Sequence, residues 1–140
     1  MVTALASPRK GGLHLTRVVT LDQFVSEGER EALIEGAKED LRATVKNLHE
    51  GLEAPALSTL PLSLTWSIAT DNDVAGGIIR VAESGEDAEG ACMPARCDLI
   101  AMTTHGYSGL QRWTLGSITE RVLHATELPL LIVPPERQMR

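Results

Sequence analysis

The sequence predicts an α/β domain: an open, mainly parallel sheet with flanking helices. Three observations carry this reading. Short leucine- and β-branched-rich runs alternate with longer stretches whose apolar residues recur every third or fourth position. Residues 97–133 hold a strand, a helical crossover and a second strand, the make-up of a βαβ unit with parallel strands. The composition is 43% apolar but only 3% aromatic, so the core must be built from Leu, Ile, Val and Ala, which suits helices packed on a sheet. At 140 residues the chain fits a single domain, 1–140.

The elements follow in order. Leu13 to Thr20, LHLTRVVT, reads as an interior strand bounded by Gly11 and Gly12. From Ser26 the period changes, with Ile34, Ala37, Leu41, Val45 and Leu48 along one face of a long amphipathic helix. Ser26 and Glu29 have capping-box spacing at its start, and Gly51 marks its end. Pro55 and Pro61 make residues 52–61 a linker. In LSLTWSIA, Leu62, Leu64, Trp66 and Ile68 alternate with Ser63, Thr65 and Ser67, the pattern of an edge strand covered on one face. Asp71 or Asp73 caps a shorter helix carrying Val74, Ile78 and Val81, and the acidic stretch 83–96 is expected to be a surface loop. Cys97 to Met102 is a short apolar strand. Ser117 is expected to cap a helix bearing Ile118, Val122 and Leu123, with Glu120 at capping-box spacing, and Leu130 to Val133 forms the last strand before Pro134 and Pro135.

Thirteen basic against nineteen acidic residues give a net charge of −6, with no basic block, which argues against a nucleic-acid partner. No apolar run is long enough to span a bilayer and residues 1–12 show no signal-peptide pattern, so a soluble cytoplasmic protein without a membrane partner is expected. Cys92 and Cys97 have no further Cys or His pair at zinc-site spacing and read as free thiols.

In open parallel sheets ligands sit beyond the carboxyl ends of the strands. The loop 103–117 occupies that place. Gly116 and Ser117 open a helix whose free amides form an anion site, and Gly106 and Gly109 allow the loop backbone to turn sharply and approach a ligand. His105 lies in the same loop. No Ser-His-Asp or Cys-His set can be assembled around it, so it reads as a loop-stabilising hydrogen-bonding residue and not a catalytic one. His14, His49 and His124 lack ligand-type spacing and read as bystanders, Trp113 as an apolar anchor, and Arg112 as solvated.

The segment DLIAMTTHGYSGLQRWTLGSITERVLHATELPLLIVPP resembles the carboxyl half of the universal stress protein family, whose ATP-binding pattern is G-x2-G-x9-G-[ST]. Here Gly106, Gly116 and Ser117 fit, while Thr103 stands where the pattern has its first glycine. LHLTRVV is similar to the family's second strand, with Val18 at the position whose backbone lies near the adenine. Residues 27–51, LSLTWSIA and 71–82 are similar to its second helix, third strand and third helix. The resemblance implies an adenine-nucleotide alpha-hydrolase-like fold of Rossmann type and a binding set of Val18, Thr103, His105, Gly106, Gly109, Gly116 and Ser117 for ATP, with Mg²⁺ offsetting the phosphate charge.

The family opens with a strand ending in an Asp-bearing loop that holds the adenosine, then a helix, and that strand is central in the order 3-2-1-4-5. Residues 1–12 cannot hold both, so the chain is expected to lack the family's first strand and helix. The gap could close directly, be filled by a second chain, or be filled by Val2 to Ala6 as an antiparallel substitute, the least rearrangement because residues 7–12 are too short for a parallel crossover. The functional expectation is an adenine-nucleotide-binding or regulatory module with a weakened site and no catalysis. The alternative is a nucleotide-free protein that homodimerises through Leu130, Leu131, Ile132 and Val133, and an ATP-hydrolysing enzyme ranks third.

Overall fold

A computed structural model describes residues 2–6, 11–21, 23, 25–53, 62–85, 89–90, 96–103 and 115–133, with 2–6 and 89–90 as backbone. The elements are β1 (Val2–Ala6), β2 (Gly12–Val19), α1 (Glu27–Leu52), β3 (Ser63–Thr70), α2 (Val74–Ser84), β4 (Glu89–Gly90), β5 (Ile100–Thr103), α3 (Ser117–Ala125) and β6 (Leu130–Val133). They form one six-stranded sheet in the order β4-β3-β2-β1-β5-β6. β2 and β3 pair in parallel, as do β5 and β6.

β1 fills the central slot in reverse. It runs antiparallel to β2, from Val2 opposite Thr16 to Ala6 opposite Gly12, and antiparallel to β5 through Thr3 and Ala4. The short link between Ala6 and Gly12 permits only a hairpin, and the hairpin gives the facing edges of β2 and β5 their backbone partners. Because β1 opposes both neighbours, β2, β3, β5 and β6 all point the same way, and their carboxyl ends share one edge of the sheet.

The register sorts the side chains into two cores. Leu13, Leu15 and Val19 of β2 and Leu64, Trp66 and Ile68 of β3 face α1, where Ala37, Leu41, Val45 and Leu48 cover them. On the other face Val18, Ile100, Met102 and Leu130 pack against Ala75, Ile78 and Ala82 of α2 and Val122 of α3, with Cys97 in the same cluster. Each of the largest of these side chains contributes about 1.5–3 kcal/mol on burial. Cys97 is a free thiol whose pKa is pushed up by burial and then by Asp98, so it stays protonated at neutral pH. Cys92 lies outside the described residues.

Several local expectations are corrected. The long helix runs past Gly51 to Leu52 and ends on Glu53 in right-handed conformation, so Gly51 is not its stop. The Ser26–Glu29 capping box is present, with the Glu29 carboxylate accepting from the Ser26 amide at 2.9 Å. The second helix extends to Ser84 and stops at Gly85, whose φ of 71° is the left-handed conformation that glycine adopts without strain. Stretch 83–96 is therefore not simply a loop: its first two residues are helical, and Glu89–Gly90 pair with Ser67 and Ile68, covering part of an otherwise open strand edge.

β3 is also buried on both faces near its end, where Ser67, Ile68 and Ala69 are all inaccessible. The polar residues there satisfy one another. His14, buried between the strands, has Nδ1 2.8 Å from Thr65 Oγ1 and Nε2 2.8 Å from Ser67 Oγ, and Thr16 Oγ1 is 3.2 Å from Ser67 Oγ. His14 is thus no bystander but a polar tie between β2 and β3, and desolvation lowers its pKa.

Candidate functional site at the carboxyl edge of the sheet

Val18 and Thr103 stand near the carboxyl ends of β2 and β5, on either side of the amino end of β1. Two strand spacings separate β2 from β5, about 9–10 Å. The reversal of β1 has a direct consequence for this edge: the β1–β2 connection lies at the opposite one, so no loop following β1 reaches the ends of β2 and β5.

The β5–α3 junction has a defined geometry. Gly116, not Ser117, is the N-cap of α3, in extended conformation with φ −60° and ψ 151°, and its carbonyl accepts from the Glu120 amide at 2.9 Å. The helix therefore begins one residue earlier than expected, and Glu120 lies a position too late for a capping box. Among the described residues no side chain caps α3, and Ser117 is exposed as its first helical residue. Thr119 Oγ1 donates to the Thr103 carbonyl at 3.5 Å, tying that first turn to the end of β5. Thr103 is exposed, so its side chain does not plug the core beneath. His105, Gly106 and Gly109 lie outside the described residues, as do Arg112 and Trp113. Of the binding set, the described Thr103, Gly116 and Ser117 come together around the β5–α3 junction, and Val18 stands across β1 from them.

Val18 is held closely from behind. A Cβ at Gly77 of α2 would meet Val18 Cγ1 and Asp71 Cβ at 3.1 Å, so α2 approaches β2 closely enough that a larger residue would have to push these neighbours aside. Asp73 is the N-cap of α2, with Oδ1 accepting from the Gly76 amide at 3.1 Å, and Asp71 Oδ1 accepts from the Asp73 amide at 2.8 Å. Asp71 also pairs with Arg80, and Asp73 Oδ2 is 2.9 Å from Arg121 of α3. Capping and ion pairing account for both carboxylates, as helix-start chemistry predicts. Sequence reasoning did not find the Arg80 and Arg121 partners, because pairing across 9 and 48 positions depends on packing. The polar pattern at His14, Thr16, Thr65 and Ser67 was the one available signal for the buried tie.

No group of three or more His, Cys, Asp or Glu that could hold a metal occurs among the described residues, and no described helix is long and apolar enough to cross a membrane. The sequence model of the universal stress protein family matches residues 2–134. Universal stress protein MJ0531 of Methanocaldococcus jannaschii is 30% identical over 119 residues, covering 83% of this chain and 61% of that protein, so the chain spans less than two thirds of that relative's length. Among solved structures, that of hypothetical protein MJ0577 superposes with a TM-score of 0.53 at 23% identity, covering 95% of this chain and 82% of the other, a likeness of fold. A match across nearly the whole sequence, on an α/β fold of the same kind, makes this chain a member of the universal stress protein family.

Proposed function

We propose that this chain is a binding or regulatory module for adenine nucleotide, without catalysis, that holds the phosphates more firmly than the nucleoside. The observation that carries the reading is the start of α3, which no described side chain caps: its first amides and the exposed Ser117 supply donors and the positive helix end beside the end of β5. Membership in a family with the G-x2-G-x9-G-[ST] pattern supports the same position. Two features work against affinity. Thr103 puts a β-branched side chain where the pattern has glycine, and the reversed β1 brings no adenosine-holding loop to this edge. The acidic chain also repels a polyanion, so ATP is expected to bind with Mg²⁺ carried on its phosphates.

Calorimetric titration with ATP and Mg²⁺ tests this. The expected result is a dissociation constant weaker than about 1 μM, weakened further by Ser117→Ala, with no hydrolysis. Absence of binding refutes the module, submicromolar affinity refutes the argument from Thr103 and β1, and ATP turnover lost in Ser117→Ala establishes an enzyme.

A second reading rests on β6, an edge strand whose Leu131 and Val133 are 45% and 44% exposed. Antiparallel pairing of β6 with its copy would cover both the edge and these side chains, giving a homodimer. Sedimentation showing only monomer at tens of micromolar removes that reading.

A further inference from the structure

A cleft of about 480 Å³ opens at the carboxyl edge of β2 and β3, between the start of α1 and the β3–α2 turn. It lies on the outer side of β2, whereas β1 and the β5–α3 junction lie on the inner side. Its base is the Asp71–Arg80 ion pair, in which the acid's charge is offset and its second oxygen is already engaged by the Asp73 amide. Around this base stand four further polar side chains: Arg30 from α1, Gln23 from the segment after β2, and Thr70 and Asn72 from the end of β3 and the turn beyond it. None of these four side chains makes a hydrogen bond or ion pair among the described residues. Among the described lining residues Arg30 is a cation with no acidic partner, in a chain of net charge −6.

Uncommitted donors from three separate segments, Arg30 among them, converging on a cleft of this size fit a ligand rich in acceptor oxygens. Leu21 and Val25 add apolar wall on one side, which suits a carbon skeleton. We infer that this cleft binds a small organic oxyanion, a carboxylate or phosphate ester, with Arg30 as its charged anchor and Gln23, Thr70 and Asn72 as hydrogen-bonding partners. The site is separate from the β5–α3 junction and does not depend on nucleotide binding there.

The test is an NMR titration of the full chain with inorganic phosphate and, in a second arm, succinate, read at the side-chain amides of Gln23 and Asn72 and at Arg30 Nε–H. Saturable shifts at these groups are expected with at least one probe, and the arm that saturates distinguishes a phosphate ester from a carboxylate. Arg30→Gln, an exposed replacement on a helix, is expected to weaken binding about tenfold or more, while Ser117→Ala leaves it unchanged. Linear, unsaturated shifts with both probes overturn the proposal, as does saturation that Arg30→Gln leaves intact. Because the β5–α3 junction is probed by Ser117→Ala at different resonances, failure there is distinguishable from failure here.

Discussion

Replacing Gly77 by alanine sets two effects of known sign against each other. In a helix interior, Gly→Ala gains about 0.5–1 kcal/mol from backbone entropy. At Gly77 the new methyl would lie 3.1 Å from Val18 Cγ1, 3.3 Å from Val18 Cγ2 and 3.1 Å from Asp71 Cβ. Neither neighbour is the free end of a flexible chain. Val18 is β-branched on a strand paired along its length with β3, and Asp71 is fixed by Arg80 and by the Asp73 amide. Overpacking of this kind costs about 1–3 kcal/mol, so the net expectation for Gly77→Ala is a loss of about 1 kcal/mol. Gly36, exposed on α1, has nothing within 4 Å of its would-be Cβ, so Gly36→Ala keeps the gain alone. For a chain of this size 1 kcal/mol moves Tm by about 4 °C. Thermal unfolding followed by circular dichroism should therefore place Gly36→Ala a few degrees above the parent and Gly77→Ala a few degrees below. A Gly77→Ala protein as stable as Gly36→Ala would refute the close approach of α2 to β2, and with it the rigid backing assigned to Val18.

The buried His14 makes stability pH-dependent. Its folded pKa lies below the ordinary 6.5, so the unfolded chain binds the proton more tightly. The contribution is complete above pH 6.5 and is lost as pH falls through the folded value, by at most about 1.4 kcal/mol per pH unit. Urea midpoints from pH 8 to 5 should fall in the parent and fall less in His14→Val; identical slopes would dismiss the imidazole as the cause. Asp73→Ala removes the N-cap of α2 and the Arg121 pair, with an expected loss of about 1 kcal/mol, most of it from the cap because both charged groups are largely exposed. Asp73→Asn should recover most of that loss in the same denaturation assay. Ile100→Ala empties a fully buried position on β5 and should cost about 2–5 kcal/mol, read as a lowered urea midpoint with unchanged slope.

The sequence by itself determined the element types, because hydrophobic period and cap chemistry are local. The stripe from Ala37 to Leu48, the Ser26–Glu29 box and the Leu13–Thr20 run each announce an element within a few turns of chain. The 103–117 pattern likewise exposed the family and one candidate anion site, since its spacing lies in one continuous loop. Boundaries were less legible. Gly51 and Ser117 carry residue types that suit helix ends, yet Leu52 continues α1 and Gly116 is the N-cap of α3, because a helix end can shift by a residue or two and residue type alone does not fix it. The tertiary structure decided what depends on distant residues meeting. Residues 2–6 say nothing locally about direction; the short link to β2 and the open edges of β2 and β5 make β1 an antiparallel insert. His14 became a buried tie only because parallel pairing set Thr65 and Ser67 beside it. The cleft at Arg30 exists only because α1 and the β3–α2 turn begin at the same sheet edge. Such contacts are set by strand register and helix approach, which no local pattern encodes.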